Sequence, residues 1–375
     1  MTSVFVAARS GLPAAPSSSL GLFSADEYAL VTRFFDSHPG LAPTPLTPLP
    51  ALARRLGLGT LLAKDETHRF GLNAFKLLGA RFAVEQLLAD GAIRPGDTLV
   101  CASEGNHGRA VAHTARAVGC PARVYLSESV AAPRADAIAG EGATVVRVAG
   151  TYDDAVRQAA ADAGAHGWTV VSDTSWPGYE RIPRLIMLGY TRMMDEMIQG
   201  MPDDWRPDAI FVPGGVGGLL AAVASWSAFH FPRPPHIVAV EPSSCACLQV
   251  SARAGTPSTV AGPFTTMMGG LRCGEVSPLA FEGALPIVDG YVAVDDAWAE
   301  RAMRLLGRPA DEDPAIEAGP SGAAALAGLL ATREDPAARE LALYLDLGSW
   351  STVVVIVSEG MTDPPLWQRV MAATA

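Results

Sequence analysis

The chain has 375 residues, 49% hydrophobic and 18% charged, with 28 Lys plus Arg against 39 Asp plus Glu and a formal net charge of −11. That length and apolar content suit a globular body of two lobes and exclude a disordered chain. An acidic balance without clustered cations excludes a phosphate-neutralising surface, so no nucleic-acid partner is expected.

Residues 1–20, rich in Ser, Ala and Pro without periodicity, read as a loose arm. Ser24 to Phe35 opens on a Ser/Asp cap and reads as a short helix. The run PGLAPTPLTPLPALA (39–53) is held extended by its prolines. Beyond it, short apolar strands are predicted over 97–102, 122–126, 144–148, 168–172, 208–213, 236–241 and 352–358. Helices are predicted between them over 106–117, 131–140, 152–163, 217–230, 297–306 and 321–331. Tyr179 to Gln199 reads as one longer helix joining two such sets. This alternation predicts an α/β fold with two lobes of open, mostly parallel sheets covered by helices on both faces. The large lobe is expected over 1–78 and 190–375, and the small one over 79–189. Active sites of such sheets lie at the carboxyl ends of strands.

The five cysteines, at 101, 120, 245, 247 and 273, form no CxxC pair and no Cys/His cluster with zinc spacing. Neither a disulfide framework nor a metal is expected, and a reducing cytoplasm is the simple setting. No basic stretch leads into an apolar core at the start, so no signal peptide is expected. The run Val353 to Val357 is a strand too short to span a bilayer, and no membrane partner is expected.

Four segments carry chemistry. In KDETHRFGLNAFKLLGA (64–80), Lys76 stands among apolar neighbours, where desolvation would lower its pKa and make it a good amine nucleophile. In isolation a lysine snorkelling off a surface helix would look the same. CASEGNHGRAV (101–111) follows a strand and opens a helix. Ser103 and the amides near Gly105 can cradle an anion there, Asn106 can donate, and Glu104 and His107 can titrate. An ordinary helix cap explains that segment equally well. VPGGVGGLLAAVA (212–224) offers Gly214, Gly215, Gly217 and Gly218 around Val216. Such glycines let backbone N–H groups converge on a phosphate at a helix N-terminus. The loop is neither a Walker A motif nor G-x-G-x-x-G, and Glu241 is only a weak match for a ribose-binding acid. Finally, Ser358 ends the last buried strand in VVVIVSEGMTDP (353–364).

In that order, the four segments resemble fold-type II pyridoxal-phosphate enzymes of the tryptophan-synthase-β-like family, from Thr44 to the end of the chain. The resemblance implies pyridoxal 5'-phosphate as cofactor, bound to Lys76 as a Schiff base. It places Asn106 against the cofactor's 3-oxygen and Ser358 at the pyridine nitrogen. Gly214, Gly215, Val216, Gly217 and Gly218 would hold the phosphate, with Ser103, Gly105 and His107 as candidate substrate contacts.

Within that family, RFGLNAFKLLG (69–79), GNHGRAVA (105–112), DTSWPGYERIPRLIMLGY (173–190), FTTMMGGLRCGEVSP (264–278) and SEGMTDP (358–364) resemble the diaminopropionate ammonia-lyases. The resemblance implies a small amino-acid substrate, a homodimer, and two acid/base carboxylates. One matches Asp173. The other is ordinarily Asp, and here it is Glu104, one methylene longer, where a misplacement of order 1 Å can cost about a hundredfold in rate. Elimination of ammonia from 2,3-diaminopropionate to pyruvate is the implied activity. Elimination or replacement on another β-substituted alanine, and an inactive ligand-binding homologue, remain open alternatives.

Overall fold

The computed structural model describes residues 1–7, 21–103, 105–130, 132–150, 152–199, 201–309 and 311–373, without the side chain of Asp153. Among the described residues, eleven strands form two sheets. They are β1 (Ser3–Val6), β2 (Leu46–Pro48), β3 (Thr60–Asp65), β4 (Leu99–Ala102), β5 (Ala122–Ser127) and β6 (Thr144–Val148). β7 (Thr169–Val170), β8 (Ala209–Pro213), β9 (His236–Pro242), β10 (Gly290–Val294) and β11 (Thr352–Val357) complete the set.

The larger sheet runs β1-β10-β9-β8-β11-β3-β2 and the smaller β6-β5-β4-β7. Pairing is parallel throughout the small sheet and among β10, β9, β8, β11 and β3; only the edge strands β1 and β2 run antiparallel. The inner strands are buried on both faces, as in AIFVP (β8) and TVVVIV (β11), because helices cover each side. That continuous burial explains why they read as apolar runs rather than alternating patterns.

The structure departs from the expected elements in four places. The run 39–53 is extended through β2 but turns helical over Pro50–Arg55, where proline suits the first helical position. Residues 3–6 are no loose arm but an edge strand, with Ser3 opposite Ala293 and Val6 opposite Gly290; residues 8–20 of that arm lie outside the described residues. Thr60–Asp65 and Gly290–Val294 are strands the pattern did not signal, the first ending in charge and the second short and opened by glycine. The single helix expected over 179–199 is two, Arg181–Tyr190 and Arg192–Ile198, breaking at Thr191, whose hydroxyl donates back to Leu188 O at 2.6 Å. Ser24 caps its helix as read, with a full capping box to Glu27.

Candidate active site

Lys76 is the first residue of the helix Lys76–Ala89, and the loop ahead of it is strained. Phe70 and Asn73 adopt left-handed φ values of 52° and 58°, which cost a non-glycine residue about 1–3 kcal/mol each. Backbone bonds to the end of β11 hold the loop in place. Phe75 N donates to Ser358 O at 3.2 Å, and Gly360 N donates to Asn73 O at 2.8 Å. Beneath it Arg69 is buried and gripped by Glu66 (Nε to Oε2, 2.6 Å) and Glu196 (Nη2 to Oε2, 2.7 Å). Lys64 Nζ reaches the same Glu196 oxygen at 2.8 Å and Thr44 O at 2.7 Å. Sequence reasoning missed this network, because the charges of KDETHR look like a solvated turn when their partner Glu196 stands far along the chain.

The chain contains only two lysines. Lys64 is committed to that buried network, which leaves Lys76 as the lysine amine available to react. Its Nζ lies 2.6 Å from Asp173 Oδ2, and 5.0 Å and 5.7 Å from the ring centroids of Phe75 and Tyr190. Burial pulls the amine toward its neutral form, as the apolar flanks suggest. The Asp173 carboxylate more than offsets it, however, so the pKa moves up rather than down. The expectation of a lowered pKa is thus reversed for the free amine. Burial likewise raises Asp173, but the Lys76 ammonium hydrogen-bonded to it outweighs that and holds the carboxyl well below its usual range.

The small lobe supplies the opposite wall. Asn106 and His107 open the helix Asn106–Ala117. His107 Nε2 lies 2.8 Å from Val171 O, so that nitrogen carries the proton. Among the described residues Nδ1 has no hydrogen-bond partner, and it faces Asp173 Oδ2 at 3.8 Å. Burial lowers the His107 pKa and keeps the ring neutral. Ser103 Oγ accepts from Gly108 N at 2.9 Å and Gly105 N at 3.3 Å, which is helix-start capping. Tyr179 OH bridges Val170 O and Ser172 N, both at 2.9 Å, and clasps the backbone leading to Asp173. Glu104 lies outside the described residues.

Asn106 Nδ2 donates to Glu359 Oε2 at 2.5 Å across the cleft between the two sheets. Glu359, a buried carboxylate beside Ser358, also accepts from Ser321 N at 3.2 Å. Sequence reasoning named Ser358 and passed over its neighbour. Ser358 is buried, its Oγ 3.5 Å from Ser321 O.

The glycine loop runs from β8 into the helix Gly218–His230, whose N-terminus has no side-chain cap. A Cβ on Gly214 would meet Leu248 Cδ1 at 2.7 Å and Glu241 Cγ at 2.9 Å, and Gly217 has φ +97°. Each position thus needs glycine for its own reason. Gly215 faces Cys273, and Gly218 faces Tyr190, whose ring centroid lies 5.7 Å from Lys76 Nζ. Glu241 takes no ribose-binding role: its carboxylate accepts from Leu248 N and Gln249 N at 2.7 and 2.8 Å.

A reactive lysine facing an uncapped, glycine-lined helix start fits an aldehyde-bearing phosphate cofactor. Amide donors suit the phosphate, and a free amine suits the aldehyde.

Comparison with known proteins agrees. The family model described as pyridoxal-phosphate dependent enzyme matches residues 38–359. The chain is 36% identical to the diaminopropionate ammonia-lyase of Escherichia coli over 367 residues, 93% of this chain and 92% of that enzyme. The Salmonella typhimurium diaminopropionate ammonia-lyase is 33% identical, with 94% of each chain covered. The crystal structure of the E. coli enzyme in complex with an aminoacrylate-PLP azomethine reaction intermediate superposes with a TM-score of 0.89 at 33% identity, covering 99% of this chain and 97% of that one. The processed threonine deaminase isoform 2 of Solanum lycopersicum, with a TM-score of 0.76 at 22% identity, shares the fold. The chain belongs to the pyridoxal-phosphate-dependent enzymes, with the α/β architecture of fold type II and pyridoxal 5'-phosphate as its cofactor.

Proposed function

We propose that the protein is a 2,3-diaminopropionate ammonia-lyase, converting its substrate and water to pyruvate and two ammonia molecules by α,β-elimination. The observation that carries this reading is the cluster of half-buried Lys76 and Asp173 with buried His107 beside the glycine loop. It occurs in a chain whose relatives of that name match over more than nine-tenths of its length.

Lys76 would hold the cofactor, Gly214, Gly215, Val216, Gly217 and Gly218 would take its phosphate, Asn106 would serve its 3-oxygen and Ser358 its pyridine nitrogen. When bound, pyridoxal phosphate supplies an electron sink for the pair released at the substrate Cα. With substrate bound, the Lys76 amine would accept the Cα proton. Asp173 keeps a proton on the β-nitrogen, which departs as ammonia with its bonding pair while Cα and Cβ become doubly bonded. The 2-aminoacrylate so formed hydrolyses to pyruvate and the second ammonia. Glu104 serves as the second acid/base group, and Ser103, Gly105 and His107 border the substrate.

The lobes divide as 1–78 with 190–375, and 79–189. No described helix is long and apolar enough to cross a membrane. A cytoplasmic homodimer completes the proposal, with Leu343 and Trp350, 70% and 72% exposed, as candidate contacts. Incubation with diaminopropionate tests the activity: one pyruvate and two ammonia per substrate are expected, and a new amino acid on adding a nucleophile would overturn it in favour of replacement.

A further inference from the structure

His107 is the one member of the cluster whose chemistry the reaction above leaves unused. Its Nε2–H is fixed on Val171 O, so the Nδ1 lone pair points into the site. The side chain is only 5% exposed, and Nδ1 has no partner among the described residues. A bare, buried nitrogen acceptor therefore stands 3.8 Å from the oxygen of a half-buried carboxylate, two electron-rich atoms facing each other. Such a pair is stable only when a donor-rich cation lies between or beside them. In the structure that cation is the Lys76 ammonium, 2.6 Å from the same Asp173 oxygen.

We propose that His107 Nδ1 and Asp173 Oδ2 together form the subsite for the substrate's β-ammonium and set the preference for a β-amino over a β-hydroxyl substrate. This rests on the reaction proposed above. When Lys76 gives up its charge to the cofactor, the acceptor pair loses its donor. The two nitrogens of a vicinal diamine are three bonds apart. A substrate whose α-nitrogen takes the place of Lys76 Nζ therefore carries its β-nitrogen to the adjoining acceptors. An ammonium offers three N–H donors, enough for both. A serine hydroxyl offers one, and leaves Nδ1 or the carboxylate unsatisfied in a buried site. The neutral imidazole also suits a leaving group: it accepts a hydrogen bond without drawing the proton off nitrogen before the Cβ–N bond breaks.

The test separates this subsite from the overall reaction. In cofactor-free Lys76→Ala protein, methylammonium chloride should raise the melting temperature saturably, beyond the effect of sodium chloride. Adding His107→Leu should weaken that affinity at least about fivefold, and adding Asp173→Asn should abolish it. Imidazole 15N spectra of Lys76→Ala give a second readout that needs no histidine variant, since methylammonium should shift the Nδ1 resonance of one neutral ring. In the loaded enzyme, His107→Leu should cost kcat/KM for diaminopropionate at least about tenfold more than for serine. Unchanged methylammonium affinity in the histidine variant, or no Nδ1 shift, overturns the subsite. Absence of pyruvate from diaminopropionate with the native enzyme overturns the proposed reaction instead, and leaves the amine-binding result to stand alone.

Discussion

Lys76 Nζ and Asp173 Oδ2 lie 2.6 Å apart, joining the first turn of the helix Lys76–Ala89 to the segment that leaves β7. The pair spans 97 residues of sequence and joins a residue that follows β3 of the larger sheet to one that follows β7 of the smaller. Because Asp173 favours the ammonium form, its removal should release the burial effect and lower the Lys76 pKa. Only the neutral amine condenses with the cofactor. In Asp173→Asn, the pH midpoint for the rate of cofactor uptake by the cofactor-free protein should therefore move down. Pyruvate formation should slow at least about tenfold with the cofactor still bound. An unmoved midpoint with normal turnover would reduce Asp173 to a structural residue.

The same pair affects stability, with a definite sign. Asp173 titrates lower folded than unfolded. Its contribution is present above the unfolded carboxyl value and is lost as pH falls through the folded one. Urea unfolding of the cofactor-free protein should thus show a shallower acid-side decline in Asp173→Asn than in the native chain.

Glu359 holds Asn106 across the cleft, so Glu359→Ala should leave the asparagine amide and Ser321 N without their acceptor. A loss of about 1–3 kcal/mol in unfolding free energy is expected for such a buried charge-assisted bond. Cofactor affinity should fall several-fold, read from the visible band during dilution. Full retention of the band at low protein concentration would show that Asn106 needs no such brace.

The glycine loop allows a paired test. Gly217→Ala forces a side chain onto a φ of +97° and brings Cβ within 3.1 Å of Leu248, so stability should fall by more than about 1 kcal/mol. Gly215→Ala meets nothing closer than 3.5 Å, and the fold should stand. Any loss of cofactor affinity in Gly215→Ala then reports on the phosphate site alone. Equal cofactor affinity in that variant and the native chain would move the phosphate elsewhere.

Glu104 marks the point where this chain leaves the pattern it resembles. If it accepts the Cα proton of one diaminopropionate enantiomer, Glu104→Gln should abolish turnover of that enantiomer and spare the other, which Lys76 serves. Steady-state rates with both enantiomers decide it, and equal loss for both would assign Glu104 a different role.

Much of this site was legible because its parts are local. The tetraglycine loop, Asn106 at a helix start and Ser358 at a strand end each sit where a β-branched run gives way to a loop or helix, and the sequence shows such junctions directly. What stayed hidden was long-range. Lys64, Arg69 and Glu196 form one buried network across 132 residues, and no local pattern encodes that pairing. The Lys76 pKa was misjudged for the same reason, since its apolar flanks are neighbours in sequence while Asp173 is a neighbour only in space. β1 went unread because edge strands need only one apolar face and a few residues.

Because the chain has two lysines, attachment of pyridoxal phosphate to Lys76 can be read at a single residue. The purified protein should be yellow; borohydride should bleach it and fix the cofactor to its lysine, and peptide mass spectrometry should find the added mass on Lys76 alone. Lys76→Ala should be colourless and carry none. A bleached protein with the mass on Lys64 or the N-terminus, or a colourless native protein that takes up no added pyridoxal phosphate, would contradict the account.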